Sequence, residues 1–155
     1  MDELTRRAQD LAESILENES LTADLDDAAA KVLIDWGVAC AEIIAHSTAG
    51  LSDIDADEAI SSRIGATRRL MRLVNRWIAS HNQRDHKNHK EVVSKIIEQA
   101  KVIYGTDFKL PDTFWRNAFL KQLPEFANDP PRIITCLRNL VENKPDNPII
   151  KQGRG

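Results

Sequence analysis

No proline occurs before Pro111, and the first 110 residues hold only four glycines. Proline removes a backbone donor and clashes with the turn before it, so its absence over such a stretch permits long, unbroken helices. The apolar residues then arrive at helical spacing. Leu4, Ala8, Leu11, Ile15 and Leu16 mark a first helix over residues 3–18. Leu25, Ala29, Val32, Trp36, Cys40, Ile43 and Ser47 follow in steps of three and four, one face of a second helix over 24–48. Its other side carries Ala30, Ile34, Gly37, Val38, Ala41 and Ala45. A helix apolar nearly all round belongs inside the molecule. Its polar residues Lys31, Asp35, Glu42 and His46 fall on one narrow seam, the expected edge toward water.

A third helix is expected over 54–81, started by a capping box at Ser52 and Asp55. Ile60, Ile64, Thr67, Met71, Val74, Ile78 and His81 mark its inner face, widened by Leu70, Leu73 and Trp77. The opposite side holds Gly65, Arg68, Arg69, Arg72, Asn75 and Arg76. A fourth helix, 89–104, is cued by Asn88 and Glu91 and closed by Gly105.

After Pro111 the pattern shortens. Phe114, Trp115, Phe119 and Leu120 suit a helix over 112–123, stopped by Pro124. Asp129-Pro130-Pro131 starts another over 130–143, with Ile133, Ile134, Leu137, Leu140 and Val141 facing a core. Residues 144–155, with two prolines and two glycines, read as a flexible tail. No strand alternation and no internal repeat is found. The expectation is an all-α fold: an antiparallel bundle of about four helices, 1–104, with a short two-helix C-terminal cap, 105–143. At 155 residues it fits one domain, 1–143, able to bury roughly 68–70% of its unfolded surface without a staple. The two cysteines, Cys40 and Cys136, sit among apolar neighbours and read as reduced core thiols. The N-terminal sequence resembles no signal peptide and no apolar run spans a bilayer, so a cytoplasmic protein without membrane contact is expected.

Charge is sorted along the chain. Residues 1–58 carry 15 acids and 3 bases, net −12; residues 59–155 carry 18 bases and 9 acids, net +9. The total of −3 conceals that polarity. Arg68, Arg72 and Arg76 step by four with Arg69 beside them, and no acid stands between Glu58 and Asp85. The helix therefore does not neutralise itself at i±3 or i±4. The row, about 12 Å long, is the candidate anion- or partner-binding site, since arginine forks fit phosphate and carboxylate. Its counter-charge could be the acidic helices of 1–58 in the same chain, the same helices in a second copy, or an external anion.

The segment 81–89 holds three of the four histidines. His81, Asp85 and His89 at i, i+4, i+8 are secondary candidates for a metal, though Asn82 and Asn88 suggest a loop between them. Arg76 to His81 and Arg84 to His89 both have the Arg-x4-His spacing. This resembles the motif of the HEPN ribonucleases, four-helix bundles whose arginine and histidine serve RNA cleavage at a dimer. The polar residue that often follows the arginine there is Trp77 in the first copy and Asp85 in the second, so only the second conforms. Glu42 and His46 miss the Glu-x-x-His spacing of di-iron bundles by one. The acids at 53–58 lack the glycine and glutamate of a calcium loop and suit a helix N-terminus instead. No phosphate loop, nucleophile elbow or Cys-x-x-Cys pair is present.

These residues point to a non-enzymatic helical protein with no cofactor, acting by association with another protein or with itself as a dimer. The alternative is an RNA-binding or RNA-cleaving, HEPN-like bundle.

Overall fold

A computed structural model describes residues 2–80, 86–105, 108, 109, 111 and 113–142, with the side chains of 86–88 excepted. It holds six α-helices and no strand among those residues: α1 (Glu3–Leu16), α2 (Asp27–Thr48), α3 (Asp53–Ala79), α4 (His86–Tyr104), α5 (Thr113–Gln122) and α6 (Pro130–Val141). Short 3₁₀ turns lie at Glu19–Leu21 and Leu123–Phe126. The expected tail, 144–155, lies outside the described residues, as do His81, Arg84 and Asp85. No helix among the described residues is long and apolar enough to cross a membrane.

Local chemistry starts each helix where an oxygen can take an orphan amide. Asp2 accepts from the Thr5 amide at 2.7 Å, and that bond holds its carboxyl below the usual value, with His46 adding a smaller pull. Asp26 caps α2 through the Ala29 amide at 2.8 Å. Ser52 takes the Asp55 amide at 3.3 Å and gives its hydroxyl to the Asp55 carboxylate at 3.0 Å, the expected capping box. Asp129 serves α6 ahead of its two prolines. Gly105, at φ +74°, ends α4 in the left-handed region where a glycine costs least.

Side-chain hydrogen bonds tie the long helices to one another. The Arg7 guanidinium reaches the Thr48 hydroxyl at 3.5 Å, joining the start of α1 to the end of α2. Arg63 of α3 donates to the Ser47 hydroxyl of α2, and Arg69 of α3 donates to the Gln99 amide oxygen of α4 at 2.9 Å. Helix α2 is the interior one and packs on α1, α3, α4 and α6. Its Trp36 indole, fully buried, donates to the Tyr104 hydroxyl of α4 at 3.2 Å.

The buried strip of α2 differs from the two faces read in the sequence. It runs through Leu33, Trp36, Gly37, Cys40, Ala41, Ile44 and Thr48, between them, leaving Val32 and Ile43 half-buried and Ser47 exposed. In a helix apolar on almost every side, spacing alone does not choose the inward line. Residue size does: a Cβ on Gly37 would stand 3.0 Å from Met71 Sδ of α3 and 3.5 Å from Leu16 of α1. The polar seam of Lys31, Asp35, Glu42 and His46 is exposed as expected. Asn75 leaves its expected polar side and is buried, because it ties α3 to the α1–α2 connection. Its oxygen accepts from the Asp24 amide, and its nitrogen donates to the Asp24 carboxylate, both at 3.3 Å.

One apolar cluster extends from Ala12 and Ile15 through α2, α3 and α4 to Phe119, Leu123 and the inner face of α6. The C-terminal helices therefore share the core of the long ones.

Two glycines should respond oppositely to substitution. Gly37→Leu should cost about 1–3 kcal/mol by overpacking. Gly65→Ala should gain up to ~1 kcal/mol of helix propensity, since a Cβ there meets only the flexible end of Arg69 at 3.4 Å. Urea unfolding of both variants measures this.

Candidate functional site

The five arginines of α3 do different things. Arg63 bonds to Ser47, and its guanidinium also lies beside Gly105, where a Cβ would meet it at 3.3 Å. Arg68 is half-buried and donates from Nη2 to the Ser14 carbonyl at 2.6 Å. Ser14 lies in the last turn of α1, so this cation satisfies one of the free carbonyls there and answers the negative end of the helix dipole. Its Nε is buried without a partner among the described residues. Arg69 is exposed and held by Gln99.

Arg72 is half-buried and Arg76 exposed, and neither guanidinium makes a hydrogen bond or ion pair among the described residues. None of the five α3 arginines is ion-paired with an acid among those residues. The acidic helices of the same chain thus do not neutralise the row by direct pairing. On α1 and its C-cap, Asp10, Glu13 and Glu17 are exposed and line a shallow depression around Ser14, next to where Arg68 docks.

The histidine segment is described only in part. His89 is fully buried in the first turns of α4. His81, Arg84 and Asp85 fall outside the described residues, and with them the i, i+4, i+8 metal set and both Arg-x4-His pairs. No group of three or more His, Cys, Asp or Glu side chains among the described residues could hold a metal ion.

A second feature was missed in the sequence. A cleft of about 760 Å³ opens between α2, the end of α4 with Phe108 and Lys109, and α6. Glu42, His46 and Ser47 of α2 stand exposed at its mouth. His46 Nδ1 lies 2.8 Å from the Glu42 carbonyl, so Nδ1 carries the proton and Nε2 is the free ring nitrogen of the neutral form. Deeper in, the Arg138 Nε donates to Glu142 Oε1 at 2.9 Å, with side chains only 26% and 15% exposed. The rings of Tyr104 and Phe108 stand 5.6 Å apart, tilted by 39°.

Behind that wall lies a chain of neutral groups. The Tyr104 hydroxyl accepts from Trp36 and lies beside the Cys40 thiol. Burial pushes Cys40 up to about 12, with Glu142 adding to the rise and Arg138 opposing it. Burial likewise raises Tyr104. Both stay protonated at neutral pH, so neither is a nucleophile or base there. Both cysteines are buried and in no disulfide, as the sequence suggested.

Comparison with protein-family models, with curated proteins and with solved structures returns no match.

The arginines should separate by mutation. Arg68→Met should lower stability by about 1–2 kcal/mol through the lost charged hydrogen bond, whereas Arg72→Gln and Arg76→Gln should stay within about 0.5 kcal/mol. Chemical denaturation of the three variants gives the order. The thiols supply a second check. Near neutral pH, iodoacetamide should label neither cysteine in the native protein and both in the unfolded chain. Because Cys40 is raised on folding, the unfolded chain ionises first. Stability should therefore be insensitive to this thiol below its usual range and fall as pH climbs toward about 12.

Proposed function

We propose that this chain is a non-enzymatic association protein that docks through the outer part of its arginine row onto an acidic protein surface, a second copy of itself being the partner. On this reading residues 1–143 form one helical domain, an antiparallel bundle of about four helices, α1–α4, closed by α5 and α6. The observation that carries it is the state of Arg72 and Arg76, two guanidiniums four residues apart with no partner among the described residues. The acidic depression of α1 supplies a complementary surface in the same molecule. Two-fold symmetry would set each such face against the other, so one contact forms twice. Charge of this kind orients docking and speeds encounter more than it adds affinity.

The buried position of His89 supports association over RNA cleavage, since a catalytic histidine must reach its substrate.

Sedimentation velocity on the wild type at low and high salt is the test. A dimer at low salt is expected. Arg72→Glu/Arg76→Glu and Glu13→Lys/Glu17→Lys should each weaken it roughly tenfold, four surface pairs at a few tenths of a kcal/mol apiece. Mixing the two variants should restore a heterodimer. A wild type that stays monomeric at every concentration overturns the self-association. Generic RNA bound in a steeply salt-dependent way, and lost in the arginine variant, would put nucleic acid in the partner's place.

A further inference from the structure

The cleft between α2 and α6 is independent of the arginine row, and its chemistry is specific enough to name a ligand. Its volume of about 760 Å³ falls in the range of small-molecule sites, ~300–1,000 Å³. Ile43 and Val141 give it apolar walls, and the tilted rings of Tyr104 and Phe108 give it an aromatic one. Such a wall favours a flat ring packed edge-on or offset.

The polar element is Arg138. A guanidinium has five N–H donors in a fixed fork. Only Nε of Arg138 has a partner among the described residues, the Glu142 carboxylate. The two Nη groups of this three-quarters-buried side chain therefore present an edge that no acceptor among the described residues takes up. That edge matches the two oxygens of a carboxylate. Lys109, and Arg63 held on Ser47, add positive charge at the mouth, whereas Glu42 and Glu142 add negative charge. Among these described groups, three cations stand against two carboxylates, a balance of about one positive charge. It suits a monoanion and disfavours a phosphate or a nucleic-acid strand, which would meet both carboxylates.

We propose that this cleft binds a small aromatic monocarboxylate, its ring against Tyr104 and Phe108 and its carboxylate on the Nη edge of Arg138. No covalent step is involved.

Isothermal titration with 2-naphthoate and with 2-naphthamide, which share one ring system, tests it. The acid should bind the wild-type protein at least tenfold more tightly than the amide. Arg138→Met should bring the acid down to the level of the amide. Glu142→Gln removes the competing carboxylate and should tighten the acid several-fold, so the proposal stays decidable where Arg138→Met fails to fold. Ile43→Trp, which fills the cleft without touching the ion pair, should abolish both. Equal affinity for acid and amide, no binding of the acid to the wild type, or binding undisturbed by Ile43→Trp would each overturn it. Failure to dimerise would leave these outcomes unchanged, so the two proposals fall separately.

Discussion

The crossing of α1, α2 and α3 at Gly37 constrains the rest of the structure. Met71 Sδ from one side and Leu16 from the other close on the space a Cβ would fill. Interiors are packed near crystal density, so a contact this tight fixes both the separation and the rotation of the helices that make it. With that rotation set, α2 must turn its Leu33–Ile44 line inward. Its polar seam is left to the surface, and Ile43 and Ala39 are left lining the cleft beside α6. The absence of a side chain at one position thus decides which residues of the central helix remain available to anything outside.

Polar groups between the helices follow a consistent economy. Where a cation of α3 reaches across to another helix, it meets a neutral oxygen: Arg68 the Ser14 carbonyl, Arg69 the Gln99 amide, Arg63 the Ser47 hydroxyl. Burying a carboxylate with each would remove two charges from water, and their attraction often fails to recover that cost. A carbonyl at a helix C-terminus is already in need of a donor and carries part of the helix dipole. The acids of residues 2–58 are mostly spent as caps or left in solvent, as Asp2, Asp26, Glu13 and Glu17 illustrate. The fold consequently keeps the charge polarity of the sequence on its outside.

Much of this was legible from spacing. The helices, the Ser52 capping box, the Gly105 terminus and the exposed seam of α2 follow from local rules, and they hold. What depended on which helix stands beside which was not legible. Asn75 shares a polar side with arginines, and nothing local says that Asp24 will reach across to it. The cleft is the sharper case. Glu42 and His46 were visible as a pair, but the spacing test that set them aside as di-iron ligands used only their own helix. Their neighbours across the space come from residues 104–109 and 138–142. The one local signal for that wall, Arg138 and Glu142 at i, i+4, looks in a sequence like any surface pair. Its burial exposes the difference.

The arginine run of α3 is accordingly not one feature. At 1.5 Å per residue it spans three environments in succession. Arg63 lies at the mouth of the cleft, where Ser47 holds it and Gly105 makes room for it. Arg68 and Arg69 lie against α1 and α4 and act as ties between helices. Arg72 and Arg76 meet no acceptor among the described residues. An anion attracted to the row as a whole would therefore find only its far end available, because the middle is committed to the fold. The near end is tied to Ser47 and belongs to a separate pocket. A polyanion tracking the helix would need all five guanidiniums in a line, whereas a docking acidic side chain needs only the outer two. The division of labour along α3 thus favours a short, point-like contact over an extended one.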